Sequence, residues 1–173
     1  MLSKSDWSSL IPHQGVMCLL DTVVEWDDAR IHARSDSHRR LDNPLRSDGM
    51  LRALHLCEYG GQAMAVHGGL SARAAGGKAA PGLLVSLRAV ELNVARIDDL
   101  PDALDVYAER LLDGGNSWQY TFRVEHRGVP LASGRAVVMM ADEHLRTAHP
   151  GSAGHTEICA VRKQPWGWRS GST

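Results

Sequence analysis

Hydrophobic and polar positions change period several times along the 173 residues, and those changes divide the chain into elements. Met17 to Glu25 is an apolar run with β-branched Thr22, Val23 and Val24, which predicts a strand. Trp26-Asp27-Asp28-Ala29 reads as a turn, and Arg30 to Ser35 as the returning strand of a hairpin. Ser35 to Asp48, with Pro44 and many charges, can only be a loop. From Asp48 to His67 the period lengthens. Leu51, Leu54, Cys57, Gly61, Met64 and Ala65 recur at i, i+3/i+4 and predict one long helix. Asp48 is placed to N-cap it and Gly68-Gly69 to stop it. Gly60 and Gly61 in its middle each cost about 1 kcal/mol relative to Ala. Close approach of another backbone best explains such a pair, so the helix is expected to be wrapped by a sheet.

Ser71 to Gly82 is a Gly/Ala-rich linker, and strands resume at Leu83. Apolar residues occupy Leu83, Val85 and Leu87, then change phase to Val90, Leu92 and Val94, which predicts a bulge near Arg88. Leu104, Val106 and Ala108 begin a strand that ends at Asp113-Gly114-Gly115-Asn116. Trp118, Tyr120, Phe122 and Val124 alternate with polar residues as in a half-buried strand. Arg127-Gly128 turns the chain into a last strand, Val129 to Met140, whose face of Ala132, Gly134 and Ala136 suits a close-packed helix. After Ala141 the periodicity collapses. Residues 8–141 therefore read as one domain and 142–173 as a mobile tail. Tight turns cannot connect parallel strands, so the class is α+β, an antiparallel sheet around one long α-helix.

Charge and cysteine content narrow the function classes. Nineteen Lys+Arg balance twenty Asp+Glu, so the whole chain has no drive toward nucleic acid or a membrane surface. Cys18, Cys57 and Cys159 are scattered and odd in number, which predicts reduced thiols in a cytoplasmic protein. Met1 to Ile11 lacks a signal-peptide core, and no apolar run reaches the roughly 18 residues of a membrane span. His55, Cys57 and Glu58 are close in sequence, but i and i+2 point to different helix faces, so neither a metal nor another cofactor is expected.

Glu58 is the first candidate for chemistry. It lies in an otherwise apolar stretch, where a carboxylate is rarely buried unless paired or used. Desolvation would raise its pKa, which suits a general acid or base; a solvated or ion-paired helix Glu is the plainer alternative. His55, one turn before, and Gln62, one turn after, share its face and can form a polar stripe with it. His55 reads equally well as a satisfied interior histidine.

Leu10-Ile11-Pro12-His13 followed by Met17-Cys18-Leu19-Leu20-Asp21 resembles the opening of the bacterial β-hydroxyacyl-acyl-carrier-protein dehydratases. There a Leu-Pro-His segment precedes a first strand reading roughly Phe-Leu-Leu-Val-Asp. Glu58-Tyr59-Gly60-Gly61-Gln62 resembles that family's Glu-Ala-Met-Ala-Gln. The match is strongest with the dehydratase-like hotdog proteins of aryl-polyene gene clusters, whose small-residue stretch is matched by Ala63 to Gly69. The resemblance covers roughly residues 8–140. It implies a hotdog fold and loss of water from a 3-hydroxyacyl thioester to give a trans-2-enoyl thioester. It also implies an acyl carrier protein or CoA as carrier, and a homodimer with active sites between subunits, or a heterodimer with another hotdog subunit.

That chemistry needs a base at C2, an acid for the C3 hydroxyl and polarisation of the thioester carbonyl. The resemblance carries over Glu58 in the acid/base role and Gln62 in substrate binding; Gly49, beside the expected helix N-terminus, is a further substrate-binding candidate. The family's catalytic histidine sits in Gly-His-Phe-Pro, and residues 42–50 contain no His. His38 and His55 are the candidates to replace it. His13 stands where the family has a histidine that is not the acid/base residue, so a hydrogen-bonding, substrate-side role is expected. His67, at the expected helix end, is assigned no chemistry. Arg34, Arg39, Arg40 and Arg46 can steer an acidic carrier protein, or simply be solvated among Asp36, Asp42 and Asp48. Two other functions stay open: a catalytically inactive or partner-dependent acyl-thioester-binding subunit, and an acyl-thioester hydrolase.

Overall fold

The computed structural model describes residues 1–140. The expected tail at 142–173 lies outside the described residues. The elements in chain order are β1 (Leu2–Ser3), α1 (Lys4–Trp7), β2 (Thr22–Trp26), β3 (Arg30–Ser35), α2 (Leu56–Ala74), β4 (Gly82–Leu92), β5 (Leu104–Asp113), β6 (Ser117–His126) and β7 (Val129–Met140). The strands form one antiparallel sheet in the order β1-β2-β3-β5-β6-β7-β4. The chain leaves the sheet after β3, builds α2, returns along the far edge as β4, and then fills the centre with the β5-β6-β7 meander. Arg127 and Gly128, both at positive φ, make the tight β6-β7 turn whose twist matches the strands.

Helix α2 packs on the inner face of this sheet. Its Leu56, Tyr59, Ala63, Val66 and Leu70 are buried in one core with Ile31 and Ala33 of β3, Val106 and Ala108 of β5, Tyr120 and Phe122 of β6, and Ala132 and Ala136 of β7. On the small face expected of the last strand, Ala132 and Ala136 enter this core, and Gly134 between them makes room for Phe122 and Val90.

Three sequence expectations are corrected. The helix does not start at Asp48. Asp48 and Gly49 both take positive φ in a tight turn closed by Ser47 and Met50, and a 3₁₀ turn at Ala53–His55 leads into α2. Nor does it stop at Gly68-Gly69; it runs through them to Ala74, and both glycines are buried. The first strand is shorter than its apolar run. Cys18, Leu19 and Leu20 are core residues outside the ladder, because side chains satisfy their backbone: Leu19 N–H donates to Gln62 Oε1 (2.8 Å), and Ser35 Oγ donates to the Leu19 carbonyl (2.6 Å).

Strand β4 carries the expected bulge, with its register against β7 shifting between Arg88 and Glu91 and Ala89 at φ 49°. It pairs with β7 along one edge and is the terminal strand of the sheet. Leu83, Leu84, Val85, Leu87, Val90 and Leu92 along it are 37–62% exposed. Among the described residues no helix is long and apolar enough to cross a membrane.

Candidate active site

The site is assembled where the segment preceding β2 crosses the start of α2. Glu58 projects from the first turn of α2. His13 Nε2 lies 3.1 Å from Glu58 Oε1, and Gln62 Nε2 donates to the same oxygen at 2.8 Å. Oε2 is left without a protein partner among the described residues. Gln62 is fully buried. Its amide nitrogen also donates to the Met17 carbonyl (2.9 Å), while its oxygen accepts from Leu19 N–H. That pattern fixes which way the amide points and ties the Met17–Leu19 segment to the carboxylate.

Glycine explains how His13 reaches Glu58. A Cβ on Gly69 would lie 2.7 Å from Leu10 Cβ and 3.3 Å from the Leu10 carbonyl oxygen. Its absence lets the Leu10–His13 segment lie flat across α2, and Gln14 Nε2 braces it by donating to the Ile11 carbonyl (3.3 Å). Gly60 and Gly68 make similar room for aromatic rings rather than backbone: their Cβ atoms would lie 2.6 Å from Phe122 Cδ2 and 2.7 Å from Trp118 Cζ3.

Glu58 and His13 line an apolar groove of about 530 Å³. Gly61, Ala65 and Gly68 form its helix side, Leu83 and Leu84 of β4 face them, and Trp118 of β6 contributes an aromatic wall. Glu58 is the single carboxylate in this otherwise mostly apolar lining.

The expected rise in the Glu58 pKa is not found. The hydrogen bond from His13 holds it below the usual carboxylate value, outweighing burial, with the Gln62 amide and the charges of His13 and His55 adding in the same direction. Glu58 is therefore a carboxylate at neutral pH.

The other expected residues are placed as follows. His55 closes the 3₁₀ turn before α2 and acts on Glu58 through charge alone. His38 is fully buried, its Nε2–H donating to the Leu100 carbonyl (3.2 Å), and burial holds its pKa down, so it is neutral. Gly49 sits exposed at φ 73° in the Ser47–Met50 turn, before the 3₁₀ turn that leads into α2, and does not line the groove. His67 lies inside the helix, bridging Tyr120 OH (2.8 Å) and the Asp27 carbonyl (2.9 Å). Each arginine of the cluster is ion-paired, Arg34–Asp105, Arg39–Asp36, Arg40–Asp42 and Arg46–Asp98 all lying within 2.6–3.2 Å, with Asp98 shared with Arg96. The histidine that sequence reasoning placed outside catalysis, His13, is the one that touches Glu58. The Leu-Pro-His resemblance located it, but nothing in the spacing showed that its segment folds over the helix.

A family model described as ApeP-like, ApeP dehydratase, matches residues 5–149. No match was found among the curated proteins. Among solved structures, the dehydratase heterocomplex ApeI:P from Xenorhabdus doucetiae is similar at TM-score 0.71 and 22% identity, covering 79% of this chain and 91% of that one. A hypothetical thioesterase with coenzyme A from Streptococcus pneumoniae is similar at TM-score 0.56 and 10% identity, over 80% of this chain and 97% of that one. These likenesses show the hotdog fold.

Proposed function

Because the chain belongs to the ApeP-like dehydratase family, we propose that it converts 3-hydroxyacyl thioesters, carried on an acyl carrier protein or CoA, to trans-2-enoyl thioesters. The observation that carries this reading is the ionised Glu58 in the apolar groove, with one oxygen held by His13 and Gln62 and the other without a partner among the described residues. Glu58 Oε2 takes the C2 proton. Glu58 belongs to the first turn of α2, and the positive end of the helix dipole there favours the negative charge that develops on the thioester oxygen. Gln62 is a positioning residue, holding Oε1 so that Oε2 faces the substrate.

The subunit works as half of a hotdog pair, joined along β4 to a second copy or to another hotdog subunit. The apolar terminal strand supports this, since an exposed ladder edge with unpaired N–H and C=O groups invites another strand. That the similar Xenorhabdus doucetiae protein is a heterocomplex favours a partner-dependent activity.

The test is incubation with a 3-hydroxyacyl carrier protein, alone and with a second hotdog subunit, with mass spectrometry for loss of water. Enoyl product is expected, and Glu58→Gln should lower its rate by about 10²- to 10⁴-fold. Release of free thiol without enoyl product would select a thioesterase instead. Full activity in Glu58→Gln would overturn the reading.

A further inference from the structure

We infer that His13 is a catalytic residue of this site, delivering the proton that the C3 hydroxyl needs to leave as water. The inference rests on the dehydration reading above, and it fills the place left by the absence of histidine from residues 42–50. Elimination requires two proton-transfer groups beside adjacent carbons, and Glu58 supplies one. Of the described histidines, His38 is committed to the Leu100 carbonyl, His67 to Tyr120 and Asp27, and His32 to Asp105 (2.8 Å). His55 makes no hydrogen bond to Glu58. His13 alone both touches Glu58 and lines the groove. Its Nδ1 is buried with no hydrogen-bond partner, so Nε2, the nitrogen beside Glu58, is the atom that exchanges protons.

The step balances within the pair. The step needs His13 to enter as an imidazolium and Glu58 as a carboxylate. Glu58 Oε2 accepts the C2 proton, and the electrons of the broken C–H bond form the C2=C3 double bond. The C3–O bond breaks as His13 Nε2–H protonates the departing oxygen, and water leaves. Glu58 is then neutral and so is His13. The released water accepts the proton from Glu58 Oε2 and gives one to His13 Nε2, which restores the starting pair with no other acid or base.

The test uses His13→Gln, whose amide can still donate to Glu58 but cannot transfer a proton, beside Glu58→Gln, in whichever complex gives turnover with the wild type. His13→Gln is expected to lower kcat by about 10²- to 10⁴-fold. KM and the melting temperature should stay near wild type. In His13→Ala, small imidazoles should restore turnover, with a rate that follows their acidity, as proton donation requires and simple cavity filling does not. Normal turnover in His13→Gln with loss in Glu58→Gln would overturn the inference and leave the dehydration reading standing. Loss in both His13 variants with no rescue by any imidazole would also overturn it. Normal turnover in both Glu58→Gln and His13→Gln would remove both residues from the chemistry, whereas no enoyl product from the wild type in any complex would remove the dehydration reading itself.

Discussion

Four glycines of α2 look alike in the sequence and differ in what they do. Gly60, Gly68 and Gly69 stand where a methyl group would strike Phe122, Trp118 or Leu10. Gly61 has open space at its missing Cβ and lines the groove one turn beyond Glu58. Its helical cost of about 1 kcal/mol has no packing reason. Substitution by Ala should therefore have opposite effects at neighbouring positions. Gly61→Ala should stabilise the fold by up to about 1 kcal/mol, whereas Gly60→Ala should destabilise it by about 1–3 kcal/mol through overpacking against Phe122. Denaturant midpoints of the two variants read this directly, and destabilisation by Gly61→Ala would show that the groove face is packed rather than open. The sequence made Glu58 and Gln62 visible as polar residues on an apolar helix. It did not make visible the sign of the Glu58 pKa shift. That sign depends on a histidine brought in by a segment far away in the chain, and helix periodicity carries no such information.

At the level of elements, the helix and the β5-β6-β7 meander were legible because each follows one clean period. The helix start was misread because Asp48 looks like a cap. The residue that organises that region is Asp98, distant in sequence. Its side chain is 4% exposed and accepts from Arg96 (2.6 Å), Arg46 (3.2 Å) and the Leu51 N–H (3.0 Å), pinning the chain just before α2. The Arg96 guanidinium holds the Asp98 carboxyl well below the usual carboxylate range, so it stays ionised in the folded state to lower pH than in the unfolded chain. The stabilisation is thus fully present above the unfolded value of about 3.9, and is lost as pH falls below it toward the folded value. Asp98→Asn should lower stability by about 1–3 kcal/mol at pH 7. The gap between variant and wild type should narrow by pH 3. Urea unfolding at the two pH values checks this, and a gap that does not narrow would mean that the carboxylate charge is not what matters.

For the whole molecule, strand order is what local pattern could not supply. Chain neighbours β3 and β4 end at different places in the sheet, with β5, β6 and β7 between them, because α2 intervenes. That crossover sets Leu83 and Leu84 opposite the Glu58 face of the helix, so the terminal strand is also a wall of the groove. The Met17–Leu20 run was misread for a related reason: Gln62, a side chain from α2, takes the hydrogen bonds that a ladder would have used.

Pairing along the apolar terminal strand, if the subunit works as half of a hotdog pair, would also tie the protein's survival to its concentration. If pairing along β4 covers Leu83, Leu84, Val85, Leu87, Val90 and Leu92, association adds to the free energy of the folded state by mass action, and dilution withdraws it. The melting temperature should then rise with protein concentration, and rise further on titration with a matching subunit. Scanning calorimetry across a hundredfold concentration range would show it, and a constant melting temperature would mean that the lone subunit carries its own stability. In a cell, the same linkage makes balanced supply of the two halves a condition for either to persist. A surplus half would present an open strand edge to whatever extended chain it met first.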